Sequence, residues 1–578
     1  MRARFVALGV VLIAGCGGDL RRFPLRDPLA HDTDTRPVHV ACETRATDKE
    51  PDHVACAPDP YVSPLAWDAA DNSIFRPVSK VFAVDPPKEA RNVTAFDEVP
   101  DSAWFQNRIA KKKPTSEELL RGACKPDDML DPEKADPSSW VIDQGKPNGA
   151  SPGFRIKIDG KRKYMFKADL KEEPERPSAA SAIGAAIYHA VGFNTSCEQI
   201  VYVDPKRVKL TPGLKFTAND GVTRTFDEKA LAKVLGEAGQ RGETYRFQAS
   251  AWLGGYLIGP FKYEGTRGDD PNDVIPHEDR RDLRGGRVLA AWLHHFDARE
   301  QNSMDSWFAN DPKKPDSSPG YVKHYYLDTS DCFGSLWAVD GISRRLGHSF
   351  LLDFQDILQD FVTLGVPVRP WEKEERAAEG QPGRMFGYFH WREFDPDAWL
   401  NEYPNPAFAR ATEHDNAWMA RTLSRFDRSD IKELVSLGKF TEPAAADYLA
   451  EVLEMRLRKI VERYLFVLSP VADLRVEGTS SLCGVDLARR RGARAEGDFK
   501  YGATVRGTNV GVTPKEAGAI CMQIPHIAQD GGVKDDDTSR YVVVSITNGL
   551  AKGRLDAHLY DLGPTRGFKL VGVQRPNP

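Results

Sequence analysis

The chain has 578 residues, 41% of them hydrophobic and 28% charged, with a formal net charge of −5. That length exceeds what one hydrophobic core usually fills, so two or three domains are expected. A slightly acidic balance lacks the basic footprint of a nucleic-acid-binding protein, so no nucleic-acid partner is expected. Beyond the first residues, no stretch is long and apolar enough to cross a bilayer.

Arg2 and Arg4 come first, followed by an apolar run from Phe5 to Ile13 and the tetrapeptide Ile13-Ala14-Gly15-Cys16. A basic start, a short apolar run and small residues before a cut describe a secretory signal. The tetrapeptide resembles the lipobox of bacterial lipoproteins, in which small residues fit the signal peptidase and the Cys thiol takes a diacylglycerol. The resemblance implies that residues 1–16 are a signal peptide with its lipobox and that Cys16 is the lipidation site. The chain would then be exported and held to a membrane of the cell envelope by that lipid. Gly17 rather than Asp follows the cysteine, which by the enteric sorting rule points to the outer membrane. An ordinary signal with a chance cysteine is the plainer alternative.

Of the eight cysteines (Cys16, Cys42, Cys56, Cys124, Cys197, Cys332, Cys483 and Cys521), lipidation of the first leaves an odd number. Export permits disulfides. Cys42–Cys56 and Cys483–Cys521 are the easiest pairs, although sequence does not fix connectivity. No Cys/His spacing resembles a zinc site.

In chain order, residues 17–58 are polar and aperiodic, a flexible tether. Residues 59–139 alternate short apolar groups with Pro and charge, an extension packing on the next domain rather than folding alone. From Trp140 the pattern sharpens. Trp140-Val141-Ile142 reads as a strand, and Gly145 to Gly153 as a Gly-rich loop. Phe154, Ile156 and Ile158 then alternate with Arg155 and Lys157. Asp159-Gly160 is a turn, and Tyr164, Phe166 and Ala168 mark a third strand. Pro177 opens a helix with Ala182, Ile183, Ala186, Ile187 and Ala190 on one face, ended by Gly192. Ile200 to Val203 is another strand. Further strands and a helix fill 206–262.

A helix is expected from His277 to His294, although Gly285-Gly286 weakens it. Others are expected at 349–363, 413–425 and 429–437, and from Pro443 to Leu468, where apolar residues recur at helical spacing. Residues 471–578 turn rich in Gly, Val and Thr, with strands at Tyr541–Ile546, Leu555–Leu562 and Phe568–Val573, a small all-β domain.

The chemistry concentrates in His295-Phe296-Asp297-Ala298-Arg299-Glu300-Gln301-Asn302, which follows a helix, and in Leu327-Asp328-Thr329-Ser330-Asp331 after a polar loop. Upstream, Lys167 sits on the third strand, after the Gly-rich turn. This order resembles the protein-kinase-like superfamily, especially its atypical branches such as the phosphatidylinositol kinases. There the catalytic loop reads His-Arg-Asp-x-Lys-x-x-Asn and a metal-binding Asp follows. His295, Asp297, Arg299 and Asn302 occupy those offsets, with Arg for Lys.

The resemblance implies Asp297 as the group that orients the acceptor hydroxyl and takes its proton, with Arg299 offsetting phosphoryl charge. Asn302 and Asp328 would be the oxygen ligands of Mg²⁺, and Lys167 would hold the phosphates of ATP. Backbone amides near Gly145, Gly149 and Gly153 would cradle the nucleotide. Asp-Thr-Ser replaces Asp-Phe-Gly, an insertion separates Asn302 from Asp328, and the helix from Pro177 to Val191 carries no acidic partner for Lys167. Glu172, Glu173 and Glu175 are the nearest candidates for that role.

Plainer readings stand beside these. Lys167 reads equally as an exposed strand lysine, Asp297 and Asn302 as helix-end caps, and Asp328 as an Asx-turn with Asp331 as its rival. His294-His295 form a metal pair with His277 or His324 in a hydrolase reading, against a packed structural His295. Asp269 to Asp273 is an acidic loop that either binds Ca²⁺ or is solvated. Asp97 to Phe105 looks constrained without evident chemistry.

The expected fold is α+β: a kinase-like two-lobed domain, with a mixed N-lobe over 140–262 and a helical C-lobe over 263–470, followed by an all-β domain over 471–578. The expected function is that of a membrane-anchored, atypical kinase-like protein using Mg²⁺ and ATP on an unknown acceptor. The alternative is a non-catalytic envelope lipoprotein that binds a protein or glycan partner.

Overall fold

The computed structural model describes residues 22–25, 43–45, 53–61, 65–80, 88–132, 139–146, 151–217, 222–314, 318–336, 339–535 and 537–578. Cys16, Cys42 and Gly149, and with them the expected lipobox and most of the expected tether, lie outside these residues. The chain is a mixed α/β protein with several sheets. Among the described residues no helix is long and apolar enough to cross a membrane.

Trp140–Gly145, Gly153–Ile158 and Arg162–Lys167 form consecutive antiparallel strands. Alternation sets their faces: Phe154, Ile156 and Ile158 are buried while Arg155 and Lys157 lie at the surface. Trp140, Phe166, Val201 and Phe247 complete the core beneath the sheet. The strand Thr244–Ala251 pairs with Arg162–Lys167 on one side and with Glu198–Val203 on the other. Lys167 is therefore flanked by Gly153 and Gln248 in the middle of the sheet.

The helix Arg176–Val191 follows, with Pro at its start and Gly192 at its end. The sequence predicts one apolar face, yet every residue except His189 is buried. Small residues make this possible. A Cβ on Gly184 would meet the Thr329 side chain at 2.8 Å, so the loop after Asp328 lies directly on the helix. The extension covers another side, since Val99, Phe105, Ile109 and Leu119 enter the same core. A disulfide between Cys124 and Cys197, not anticipated from the sequence, fastens it there.

The expected helix at 277–294 begins as a short 3₁₀ turn and continues as Arg281–Leu293. Gly285 inside it is explained by packing: a Cβ there would meet the Trp418 ring at 3.0 Å and Asp415 O at 3.1 Å. That contact comes from the helix Glu413–Leu423, and Pro443–Tyr464 packs on the same bundle. The helix expected at 349–363 spans Phe354–Thr363, and that at 429–437 spans Arg428–Ser436.

Residues 471–578 carry a four-stranded and a five-stranded antiparallel sheet. Val471, Leu482 and Ile520 of one share a core with Val544, Ile546 and Leu555 of the other. The Cys483–Cys521 disulfide joins facing residues of adjacent strands, as expected. Cys56 is also disulfide-bonded. Asp97, in the segment that looked constrained, accepts from three arginines: Arg281, Arg421 and Arg575. That buried cluster ties the extension, two helices and the C-terminal strand region together.

Candidate functional site

The segment between Asn302 and Asp328 is a β-hairpin. Ser303–Ala309 and Gly320–Tyr326 pair antiparallel from Ser303↔Tyr326 onwards, so the chain returns to its starting point. Leu327 N then donates to Asn302 O at 2.8 Å, which sets Asp328 beside Asn302. The residues between Asn302 and Asp328 lie in the hairpin, whose two ends stay together.

Lys167 Nζ reaches across from the sheet to Asp328 Oδ2, 3.1 Å away. Burial would lower the ammonium's pKa, but Asp328, with Glu198 and Asp331 behind it, outweighs this and raises it. Burial would likewise raise the Asp328 carboxyl, which Lys167 and the Ser330 hydroxyl instead hold below the usual range. Both groups stay charged at neutral pH. Asp328 sits at φ 49, the left-handed region, and its carboxylate keeps 38% of its surface exposed against 15% for the lysine. The pair thus opens to solvent on the side of the acid, where a cation can approach.

On the other side, Asn302 Nδ2 donates to Asp297 O and to Asp297 Oδ2, both at 2.8 Å. That use of the amide nitrogen leaves Oδ1 as the atom able to face a metal. Arg299 Nε stands 2.8 Å from Asp297 Oδ1 and Arg299 Nη1 stands 3.4 Å from Glu402 Oε2. Burial pushes the Asp297 carboxyl well up; Arg299 opposes this and Glu402, hydrogen-bonded to it, adds to it. Asp297, buried against Glu402, is therefore held toward its protonated form. Asp331 belongs to the same cluster, pushed up to about 7 by burial and by the Asp297 and Asp328 charges.

His295 is a buried structural histidine. Its Nδ1 lies 2.8 Å from the Tyr188 hydroxyl, and the Asp328 backbone is its other polar neighbour. Burial lowers it to about 4, so it is neutral. Arg176 donates to Ser330 O at 2.9 Å and Cys332 O at 3.1 Å, and Thr329 Oγ1 to Ser181 O at 3.1 Å. The helix thus holds the Asp328 loop through backbone contacts.

The glycines divide. Gly145 is filled by Phe216, whose ring a Cβ would meet at 2.4 Å, and Gly153 by the Phe166 carbonyl at 2.3 Å. Both have packing reasons to be glycine; Gly149 lies outside the described residues. The loop contributes instead a lysine that sequence reading passed over. Lys146 Nζ donates to Ser151 O at 2.6 Å and is brought down to about 8 by burial and by Lys167.

None of the three nearby glutamates serves Lys167. Glu173 pairs with Arg176 and accepts from Leu336 N, Glu175 accepts from Thr441, and Glu172 is exposed. The second acid that acts on Lys167 is Glu198, partly buried on the strand beyond Thr244–Ala251 and itself raised by burial. Glu198 and Glu402 had no local signal in the sequence, since strand pairing and a distant turn bring them in.

The other candidates lie elsewhere. His277 bonds Asp273 at 2.7 Å and His324 bonds Asp305 at 2.6 Å, with His324 stacked on Trp104; neither joins His295. In the acidic loop, Asp269 pairs with Arg267 at 2.8 Å, Asp270 Oδ1 accepts from Asn272 N and Asp273 Oδ2 from Arg267 N, while Asp270 Oδ2 and Asp273 Oδ1 are buried without a hydrogen-bond partner. Comparison of the chain with protein-family models, curated proteins and solved structures finds no match.

Proposed function

We propose that this chain is a lipid-anchored envelope protein with an atypical kinase-like site. In this reading Mg-nucleotide binds between the Gly145–Gly153 loop and the Asp297–Asn302 segment. Residues 140–262 and 263–470 form the two lobes, and 471–578 an appended β domain. The supporting observation is the Lys167–Asp328 contact at 3.1 Å, with Asn302 held beside it. A strand lysine, a carboxylate and an amide oxygen are the donor set that Mg-phosphate chemistry needs.

Asp328 and Asn302 Oδ1 would hold Mg²⁺, which supplies charge neutralisation for the phosphoryl oxygens. Lys167 and Lys146 add positive charge on the nucleotide side. Asp297 takes the acceptor's proton once its own is lost, with Arg299 and Asn302 fixing its orientation. Lipidation at Cys16 would keep the site at a membrane surface, where the acceptor is met.

A second reading, a non-catalytic lipoprotein binding a protein or glycan, draws on the burial of Asp297 against Glu402. A base that holds its proton does no proton abstraction. The experiment that separates the two supplies γ-labelled ATP with Mg²⁺ and envelope extract to the full chain and to Asp297→Asn. Label transfer lost in the variant supports the kinase reading. Nucleotide binding without transfer in either protein supports the second, and absence of nucleotide binding removes the first.

A further inference from the structure

A second cluster lies behind the catalytic-loop-like segment, on the side of the helix end that His294 occupies. His294, His348, Glu374, His390, Glu393 and Trp399 line a cavity of about 40 Å³, room for an ion with a water. His390 is set between two carboxylates, its Nε2 3.2 Å from Glu374 Oε2 and its Nδ1 3.2 Å from Glu393 Oε2. His348 Nε2 is 3.7 Å from Glu374 Oε1. An imidazole binds one ion through one nitrogen, so only one of the two sides of His390 can serve a site. One ligand atom each from Glu374, His390 and Glu393 lie within 4.8 Å of one another, a set that can close on an ion about 2.0–2.1 Å from each donor.

Two further observations point to a missing group. His390 Nδ1 is shielded from solvent and has no hydrogen-bond partner, its approach to Glu393 being misaligned for one. The indole N–H of Trp399, 4% exposed, is a buried donor without a partner in the same lining, and calls for an acceptor such as a water beside the ion. Arg456, the one buried cation in this lining, is committed elsewhere. Its guanidinium donates to the carbonyls of Ala291, Trp292 and His390 and lies over the Phe394 ring.

We propose that Glu374, His390 and Glu393, with His348 as fourth donor, bind a divalent transition metal, zinc in particular. Two imidazoles and two carboxylates suit zinc better than the hard cations Mg²⁺ and Ca²⁺. The ion clips the turn at Gly347-His348, the Glu374 segment and the His390–Glu393 segment to one another. Because His294 lines the same cavity and immediately precedes His295, the clip braces the segment that carries Asp297 and Asn302. The site is independent of the nucleotide reading.

The test uses the full, tag-free chain in detergent, stripped with EDTA and titrated with Zn²⁺ alone by calorimetry, with metal content read by mass spectrometry. One equivalent per chain is expected. His390→Ala should lose more than tenfold in affinity, and Glu393→Gln, at an exposed position that leaves the fold intact, should do the same. His414→Gln, whose ring pairs with Glu89 elsewhere, should bind as the parent does. No stoichiometric zinc in the parent overturns the proposal, as does full affinity in Glu393→Gln and His390→Ala.

Discussion

Lys167 Nζ lies 3.1 Å from Asp328 Oδ2, joining the middle of one sheet to the end of a hairpin in the other half of the site. Each partner keeps the other charged against the pull of burial. Lys167→Met leaves Asp328 without its cation. Because that carboxylate is 38% exposed, water screens much of the loss, and a cost of about 1 kcal/mol in chemical denaturation is expected. A double-mutant cycle with Asp328→Asn should return a coupling of similar size; additive effects would show that the contact is incidental.

Asp331 gives the site a pH signature. Its folded value, about 7, lies above the ordinary aspartate value near 4, so the folded state binds the proton more tightly. The sign follows: this group favours folding below pH about 4, and its contribution falls away as pH rises through about 7. Asp331→Asn should flatten that part of the stability profile and leave the variant more stable than the parent at pH about 8. A steeper profile in the variant would assign the effect to another group.

The same carboxyl predicts proton release. A cation held by Asp328 and Asn302 favours the charged form of Asp331, so Mg²⁺ binding at pH about 7 should expel a fraction of a proton. Calorimetry in buffers of different ionisation enthalpy reads this directly. Asp331→Asn should reduce the buffer dependence, leaving what Asp297 contributes; an unchanged dependence would contradict the cluster.

Asp97 faces Arg281, Arg421 and Arg575, each with a side chain at most 3% exposed. Removing its charge leaves three buried cations with fewer partners, so Asp97→Asn should cost about 3–5 kcal/mol. Hydrogen exchange should quicken both in Arg281–Leu293 and in the strands after Val471. A loss below about 0.5 kcal/mol would mean that the arginines find other acceptors.

The Cys124–Cys197 bridge closes a loop of 73 residues, for which chain entropy alone gives about 4 kcal/mol. Replacing both cysteines by Ser should remove roughly 2–4 kcal/mol in urea denaturation and loosen the extension first. Equal stability of the two proteins would show that Phe105 and Leu119 hold the extension without it.

Local patterns were the legible part of this fold. Alternation in Phe154–Ile158 and helical spacing in Pro443–Tyr464 depend on neighbours in sequence, and the structure has those elements. Burial on all sides of Arg176–Val191 was not legible. A helix of Ala, Ser and Gly offers no stripe, and only the tertiary contacts of Gly184 and the extension explain it. The hairpin after Asn302 read as a polar loop because its strands hide Asp305 and His324 as an internal pair, which blurs the alternation. Glu198 and Glu402 are brought to the site by strand pairing and by a turn far along the chain, so no local motif marks them.

The most direct measurement is a thermal melt of the full chain in detergent, with and without saturating Mg-ATP, on the parent and on Asp328→Ala. A working site should stabilise the parent by roughly 2–4 kcal/mol at ligand concentrations far above Kd, and the shift should vanish in the variant. No shift in the parent, or an equal shift in Asp328→Ala, would contradict a nucleotide site built on Lys167 and Asp328.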